Sequence, residues 1–305
     1  MFEVNDDMTP ITFSDTIPVG TYGVKFLDDY LVSINKKELV LIGASSGCGK
    51  STLAQQIAIT NARNGVKVGL FSLENSKGDT LRKEVYKEYR QQAKAWDMSF
   101  RQFNMAVHNK NFDAEIYESA EKIAKDTLSG VWLYEKPSQG FTIDDLKVQF
   151  DKSVAEDGCK LIIIDHLDYF DQIEQDRNDD CKFIRILMKM IRELMERYDV
   201  PVVAFSQFRK PTDQKMIIPT QYEFYGSSDK AKIATTVIVM ARNYDGTKNE
   251  SDKYKIHTYI AIRKDRFGIN KMADCVYNLK TSGYTDSYQQ GNTDEWGHII
   301  NYDGL

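Results

Sequence analysis

The sequence has no disulfide or zinc framework. Its four cysteines, Cys48, Cys159, Cys181 and Cys275, form no C-x-x-C pair, and no histidine cluster accompanies them. That spacing supports neither cross-links nor a metal knuckle, so four reduced thiols are expected. No apolar run approaches the roughly 20 residues of a membrane span. The first ten residues are polar and acidic, without the basic start and apolar stretch of a secretory leader. An excess of positive charge is missing too: 40 Lys and Arg face 45 Asp and Glu, a net charge of −5. An open surface built to coat nucleic acid is therefore excluded, and any basic surface must be local, as in a channel. Internal repeats and low-complexity segments are absent as well.

What is present describes a globular chain. Apolar residues make up 42% and charged residues 28%, which separates it from disordered sequences. The 305 residues suffice for one large decorated α/β domain or two small ones. Residues 1–35 carry Pro10, Pro18, Gly20 and Gly23 with little periodic pattern and are expected to form an arm or linker. Residues 36–285 are expected to form the main domain and 286–305 a tail. Short apolar runs at 39–43, 66–72, 131–134, 161–164, 202–205 and 236–240 predict buried strands. Helical patterns separate them, at 50–63, across 79–128, at 142–155 with Thr142 and Asp145 spaced for a capping box, and at 183–198. Residues 254–263 and 274–279 predict a closing antiparallel pair. This alternation predicts an α/β fold with a mostly parallel central sheet flanked by helices and antiparallel C-terminal strands. Ligands of such sheets bind at the carboxyl ends of the strands.

The chemistry-bearing residues fall at those ends. Ala44, Ser45, Ser46, Gly47, Cys48, Gly49, Lys50, Ser51 and Thr52 follow a strand and open a helix, in the Walker A arrangement with Ala44 at the usual first glycine. Such a loop must turn its N–H groups inward around phosphate oxygens, and Gly47 and Gly49 supply the conformations this needs. The helix N-terminus adds partial positive charge. Lys50 is expected to reach the β- and γ-phosphates, and Ser51 to offer its hydroxyl to Mg2+. Asp165 ends the apolar run at 161–164, the Walker B pattern for a second Mg2+ contact. Glu74 closes the run at 66–72. It is either the carboxylate that orients and deprotonates the attacking water or an ordinary capping or surface glutamate. His166 is either a phosphate sensor or a hydrogen-bonded structural histidine.

Taken in order, these segments resemble a known family. Gly-Ala-Ser-Ser-Gly-Cys-Gly-Lys-Ser at 43–51, Asn-Ala-Arg-Asn-Gly at 61–65 and Phe-Ser-Leu-Glu-Asn-Ser-Lys at 71–77 resemble the helicase core of DnaB-type replicative helicases. So do Ile-Ile-Ile-Asp-His-Leu at 162–167, Val-Pro-Val-Val-Ala-Phe-Ser-Gln-Phe-Arg at 200–209, Tyr-Gly-Ser-Ser at 225–228, Thr-Val-Ile-Val-Met-Ala-Arg-Asn at 236–243 and Arg-Lys-Asp-Arg-Phe-Gly at 263–268. The Asp-His pair and Val-Tyr-Asn at 276–278 are also similar to phage primase-helicases and the mitochondrial Twinkle helicase. The resemblance covers about residues 20–285.

It implies a RecA-like P-loop NTPase that uses ATP and Mg2+, forms a homo-oligomeric ring, a hexamer by analogy, and moves on single-stranded DNA. It implies catalysis by Glu74 and Lys50, γ-phosphate sensing by Gln207, and Lys264 and Arg266 offered to the neighbouring subunit's nucleotide. Strand alternation predicts that Lys264 and Arg266 share a face. Arg242 and Tyr277 match positions that hold the base. Two channel loops are implied at 169–181 and 209–225; Arg209, Lys210 and Lys215 suit the second, whereas the acidic first departs from the family. The family's N-terminal collar or primase domain has no counterpart in the arm, so either a minimal helicase or one with a separate primase or loader as partner is expected. A cytoplasmic setting, in a bacterium or a phage-infected one, is also implied. Two other readings remain: a RecA-, RadA- or KaiC-like ATPase whose hydrolysis controls assembly, and an ATP-binding module without turnover. The acidic loop favours these two; the Ser-Gln tip and the Lys-x-Arg pair favour the helicase.

Overall fold

The computed structural model describes residues 17–137, 140–170, 180–208, 218–224, 229–243, 253–294 and 297–302. In chain order the elements are β1 (Pro18–Gly20), α1 (Lys25–Leu31), β2 (Ile34–Asn35), β3 (Leu39–Ala44), α2 (Lys50–Arg63), β4 (Val68–Ser72), α3 (Lys77–Gln92), α4 (Phe100–His108), α5 (Ala114–Thr127) and β5 (Val131–Glu135). There follow α6 (Ile143–Asp151), β6 (Leu161–Asp165), α7 (Asp180–Tyr198), β7 (Val202–Gln207), α8 (Asp229–Ile233), β8 (Thr236–Arg242), β9 (Lys255–Lys264), β10 (Lys271–Asn278), β11 (Gly283–Thr293) and β12 (Ile299–Tyr302).

One sheet of ten strands organises the molecule, in the order β12-β11-β10-β9-β8-β3-β7-β6-β4-β5. From β8 to β5 every pairing is parallel; from β8 out to β12 every pairing is antiparallel. The parallel strands read as apolar runs because helices cover both faces. Alternation on β3 divides its side chains between the two layers. Val40 and Ile42 pack with Leu53, Ala54 and Ile57 of α2 and with Phe26 and Leu27 of α1. Leu39 and Leu41 pack with Phe150 of α6 and with Leu187, Ile191 and Leu194 of α7. A separate cluster around Val85, Tyr89, Phe103, Ala120 and Ala124 knits α3, α4 and α5 into a helical insertion between β4 and β5. The Thr142–Asp145 capping box opens α6, with side chain and backbone satisfied reciprocally.

Two boundaries differ from the expectation. The arm ascribed to 1–35 is part of the packed domain over its described portion: Tyr22, Val24, Phe26 and Leu27 are buried, and α1 packs toward β11. The tail ascribed to 286–305 begins inside β11, which pairs with β10 along its length and carries β12 on its outer edge. Its sequence is polar because it lies near the sheet margin, with most side chains partly or wholly exposed. Among the described residues, no helix is long and apolar enough to cross a membrane.

Candidate functional site

β3 lies between β7 and β8 in the parallel half of the sheet, so the loop after it emerges at the carboxyl edge beside the tips of β7 and β6. The loop turns through Gly47 at φ 78° and Gly49 at φ 93°, left-handed values that a side chain resists. Gly49 is also the N-cap of α2, and no side chain caps that helix end. Its first N–H groups are therefore directed at the mouth of the loop. Lys50 folds back over it, donating to the carbonyls of Ala44 and Ser45 at 3.3 Å each. Burial holds the Lys50 pKa below the ordinary lysine range, and the nearby Asp165 opposes that shift. Both of these acceptors are neutral, so the ammonium's charge is not neutralised by them.

A cavity of about 340 Å³ opens against this loop. Ser46, Gly47, Gly49, Lys50, Ser51 and Thr52 form one wall; Glu74 after β4, His166 and Tyr169 after β6, and Gln207 at the tip of β7 form the other. Asp165 lies beneath, buried, with one carboxylate oxygen lacking any partner among the described residues. Burial raises its pKa above the usual carboxylate value, and a hydrogen bond with Ser51 opposes the shift. A buried carboxylate oxygen of this kind, beside a serine hydroxyl, is a donor set that fits Mg2+. Among the described residues, no cluster of three or more His, Cys, Asp or Glu offers a separate protein-only metal cage.

A second cavity, of about 470 Å³, adjoins the first across Gly47, Gly49, Ser51 and Thr52. Arg242 and Tyr277 line it, with Tyr284 beside them and Tyr86, Arg90 and Phe100 contributed by the helical insertion. Arg90 donates to the Leu279 carbonyl and, at 3.2 Å, to the Tyr86 hydroxyl, which ties the insertion to the β10–β11 turn. The residues from the insertion were not foreseen, since nothing in a charged helical stretch marks which face turns toward a segment 189 positions away.

His166 meets Asp168, with Nδ1 3.1 Å from the carboxylate, and its ring packs on Tyr169. Asp168 and Lys230 belong to no motif that the sequence displays. Burial pushes Asp168 up, but the hydrogen bond with His166, the Lys230 charge and the hydrogen bonds from Lys230 and the Gln207 amide outweigh it and hold the carboxyl well below its usual range.

Lys264 and Arg266 are separated. Lys264 is the last residue of β9 and donates to the carbonyls of Ala231, Lys232 and Ala234 at the end of α8. Arg266 lies past the strand, in a turn, exposed, with one 3.5 Å contact to the Lys37 carbonyl. Strand alternation therefore does not relate the two, because the strand ends between them. Arg209, Lys210 and Lys215, and most of the two expected channel loops, lie outside the described residues.

The model of the DnaB-like helicase C-terminal domain matches residues 20–286. The chain belongs to the DnaB-like helicase C-terminal domain family. Within curated proteins it is 24% identical over 251 residues to a DNA helicase/primase of Enterobacteria phage T3, covering 77% of this chain and 41% of that protein. It is 21% identical over 247 residues to the replicative DNA helicase DnaB of Geobacillus stearothermophilus, covering 80% of this chain and 51% of that one. The chain thus spans about half the length of these relatives. Its fold matches a solved ATPase domain, with a TM-score of 0.72, 17% identity, and coverage of 89% of this chain and 92% of the other. It also matches a DnaB-like replicative helicase described with its interactions with primase, at a TM-score of 0.71 and 17% identity, over 88% of this chain and 64% of that one. The RecA-like α/β fold expected for the family is the fold of this chain. Residues 20–286 of the family match include the loop, Glu74 and Gln207, which open onto one cavity at the carboxyl edge of the sheet.

Proposed function

We propose that this chain is the ATP-driven motor of a replicative DNA helicase, working as a homo-oligomeric ring, six-membered by analogy, on single-stranded DNA. The observation that carries the reading is the single cavity shared by the Gly47–Lys50 loop, Glu74 and Gln207, above the buried Asp165. Its wall offers backbone N–H groups and one ammonium to a triphosphate, and a carboxylate to a water. Ser51 and Asp165 would hold Mg2+, which when bound neutralises charge on the β- and γ-phosphates. Glu74 orients the attacking water and takes its proton. Gln207 offers an amide that hydrogen-bonds a phosphate oxygen without adding charge. Arg242 and Tyr277 face the adjoining cavity, on the side where a base would extend from the loop. Arg266, exposed beyond β9, is the cation best placed to reach a neighbour's triphosphate; Lys264 would have to release α8 first. Arg209, Lys210 and Lys215 are proposed to track DNA phosphates without reading sequence. A primase or loader is proposed as a partner, in the cytoplasm of a bacterium or phage-infected cell.

The test is ATP hydrolysis with and without single-stranded DNA. Strong stimulation is expected, abolished by Lys50→Ala and Glu74→Gln. One rate under both conditions counts against the motor and favours an ATPase whose turnover controls assembly.

A further inference from the structure

Asp168 lies three residues beyond Asp165 and is assigned no part in holding nucleotide. Its carboxylate collects donors from three separate elements. Lys230 of α8 donates at 2.6 Å. The backbone N–H of Gln207, at the tip of β7, donates at 2.7 Å. The Ser206 hydroxyl donates at 3.2 Å, and His166 Nδ1 lies 3.1 Å away at the end of β6. Lys230 is wholly buried, and its ammonium also donates to Ser206 at 2.9 Å.

A buried ion pair is a poor source of stability, because desolvation cancels most of the Coulomb gain and an apolar pair of equal volume often does as well. What this pair supplies is geometry. The Gln207 peptide cannot slide along β7 without losing a charge-assisted hydrogen bond. Its side chain lines the phosphate cavity, as does His166, so one carboxylate braces the tips of both β6 and β7. On the far side, the Ala231 and Lys232 carbonyls of α8 and the Ala234 carbonyl just past it hold Lys264 at 2.9, 3.0 and 2.6 Å. A chain of short contacts thus runs from the phosphate cavity through α8 to the end of β9.

We propose that Asp168 and Lys230 are positioning residues: their ion pair fixes the Gln207 tip against the phosphate cavity and ties it to α8, the helix that holds Lys264. This rests on Gln207 being the group that meets the γ-phosphate.

The test combines Asp168→Asn with Lys230→Met in one chain, so that no charge is left buried alone. The KM for ATP is expected to stay within roughly twofold of wild type while kcat falls, the pattern of a lost transition-state interaction. A misplacement of the tip by about 1 Å corresponds to a fall of about 10²-fold. Lys230→Arg, which keeps charge and donors, should retain most of the wild-type kcat. A double variant with wild-type kcat and only a lower melting temperature overturns the proposal, since a merely structural pair behaves that way. A second measurement needs neither the variant nor turnover: hydrogen exchange of the wild-type chain with and without a non-hydrolysable ATP analogue and Mg2+. Added protection is expected together at 202–207 and at 229–234. Protection that stops at 202–207 overturns the link to α8. Because this readout needs no DNA, it judges the ion pair even where hydrolysis proves indifferent to DNA and the helicase reading fails.

Discussion

Replacing Asp165 by Asn should make the chain more stable and less able to bind Mg-nucleotide. The carboxylate residue is 3% exposed and one of its oxygens has no partner among the described residues. An unsatisfied buried polar group costs about 1–3 kcal/mol, and more when charged. A neutral amide of the same shape leaves one atom unsatisfied but removes the charge, so a gain of about 1 kcal/mol is expected, or about 2 °C in Tm for a domain of this size. The gain should depend on pH in a definite direction. Burial raises the folded-state pKa of Asp165 above its ordinary 3.8, so the folded chain holds that proton more tightly than the unfolded chain. The associated stability is complete below the ordinary value and is lost as pH rises through the raised one. The Asn variant has no such proton to lose. Its advantage should be absent below pH 3.8 and should grow as pH rises through the raised value. Mg-ATP should reverse the ranking: at a hundredfold excess over Kd it adds about 2.7 kcal/mol to a chain that binds it. Thermal unfolding from acid to neutral pH, with and without Mg-ATP, measures both effects. An Asn variant that melts below wild type at neutral pH without ligand, and shifts as far as wild type with Mg-ATP, would show that Asp165 neither carries a burial penalty nor holds Mg2+.

Other changes separate roles within the site. Glu74→Gln should bind nucleotide normally and lose about 10²–10⁴ in turnover, the usual contribution of a general base; equilibrium binding beside single-turnover rates checks this. Tyr277→Ala should raise the KM for ATP with little change in kcat, because a base contact is made equally in ground and transition states. Lys264→Ala should lower the melting temperature of the isolated chain, since it removes the donor to three carbonyls in and just past α8, whereas Arg266→Ala should not. Mixing Arg266→Ala with Lys50→Ala subunits should restore part of the hydrolysis, because some mixed interfaces then pair one intact loop with an intact Arg266.

The parallel half of the fold is legible because strands buried on both faces must be continuously apolar, as at 39–43 and 161–164. The loop is legible because phosphate binding demands left-handed glycines ahead of a helix, and those sit at 47 and 49. β11 is not legible: near the sheet margin its solvent-facing positions can be Asp, Ser, Gln and Asn, so no alternation survives. The arm hides its packing for a different reason, since Tyr22, Phe26 and Leu27 are too few to show a period, though each is fully buried. The expected Lys264–Arg266 face fails because β9 stops at Lys264, a boundary that composition does not mark. The Asp168–Lys230 pair joins residues 62 positions apart, and only the approach of α8 to the tips of β6 and β7 brings them together.

The loop after β3 and the carboxylate ending β6 are proposed to grip one triphosphate. A structure of the chain with Mg2+ and a non-hydrolysable ATP analogue tests it most directly. Phosphates are expected against the N–H groups of residues 47–51, Mg2+ between Ser51 and Asp165, and the base toward Arg242 and Tyr277. A nucleotide seated elsewhere, with Lys50 still turned back onto the carbonyls of Ala44 and Ser45, would contradict it.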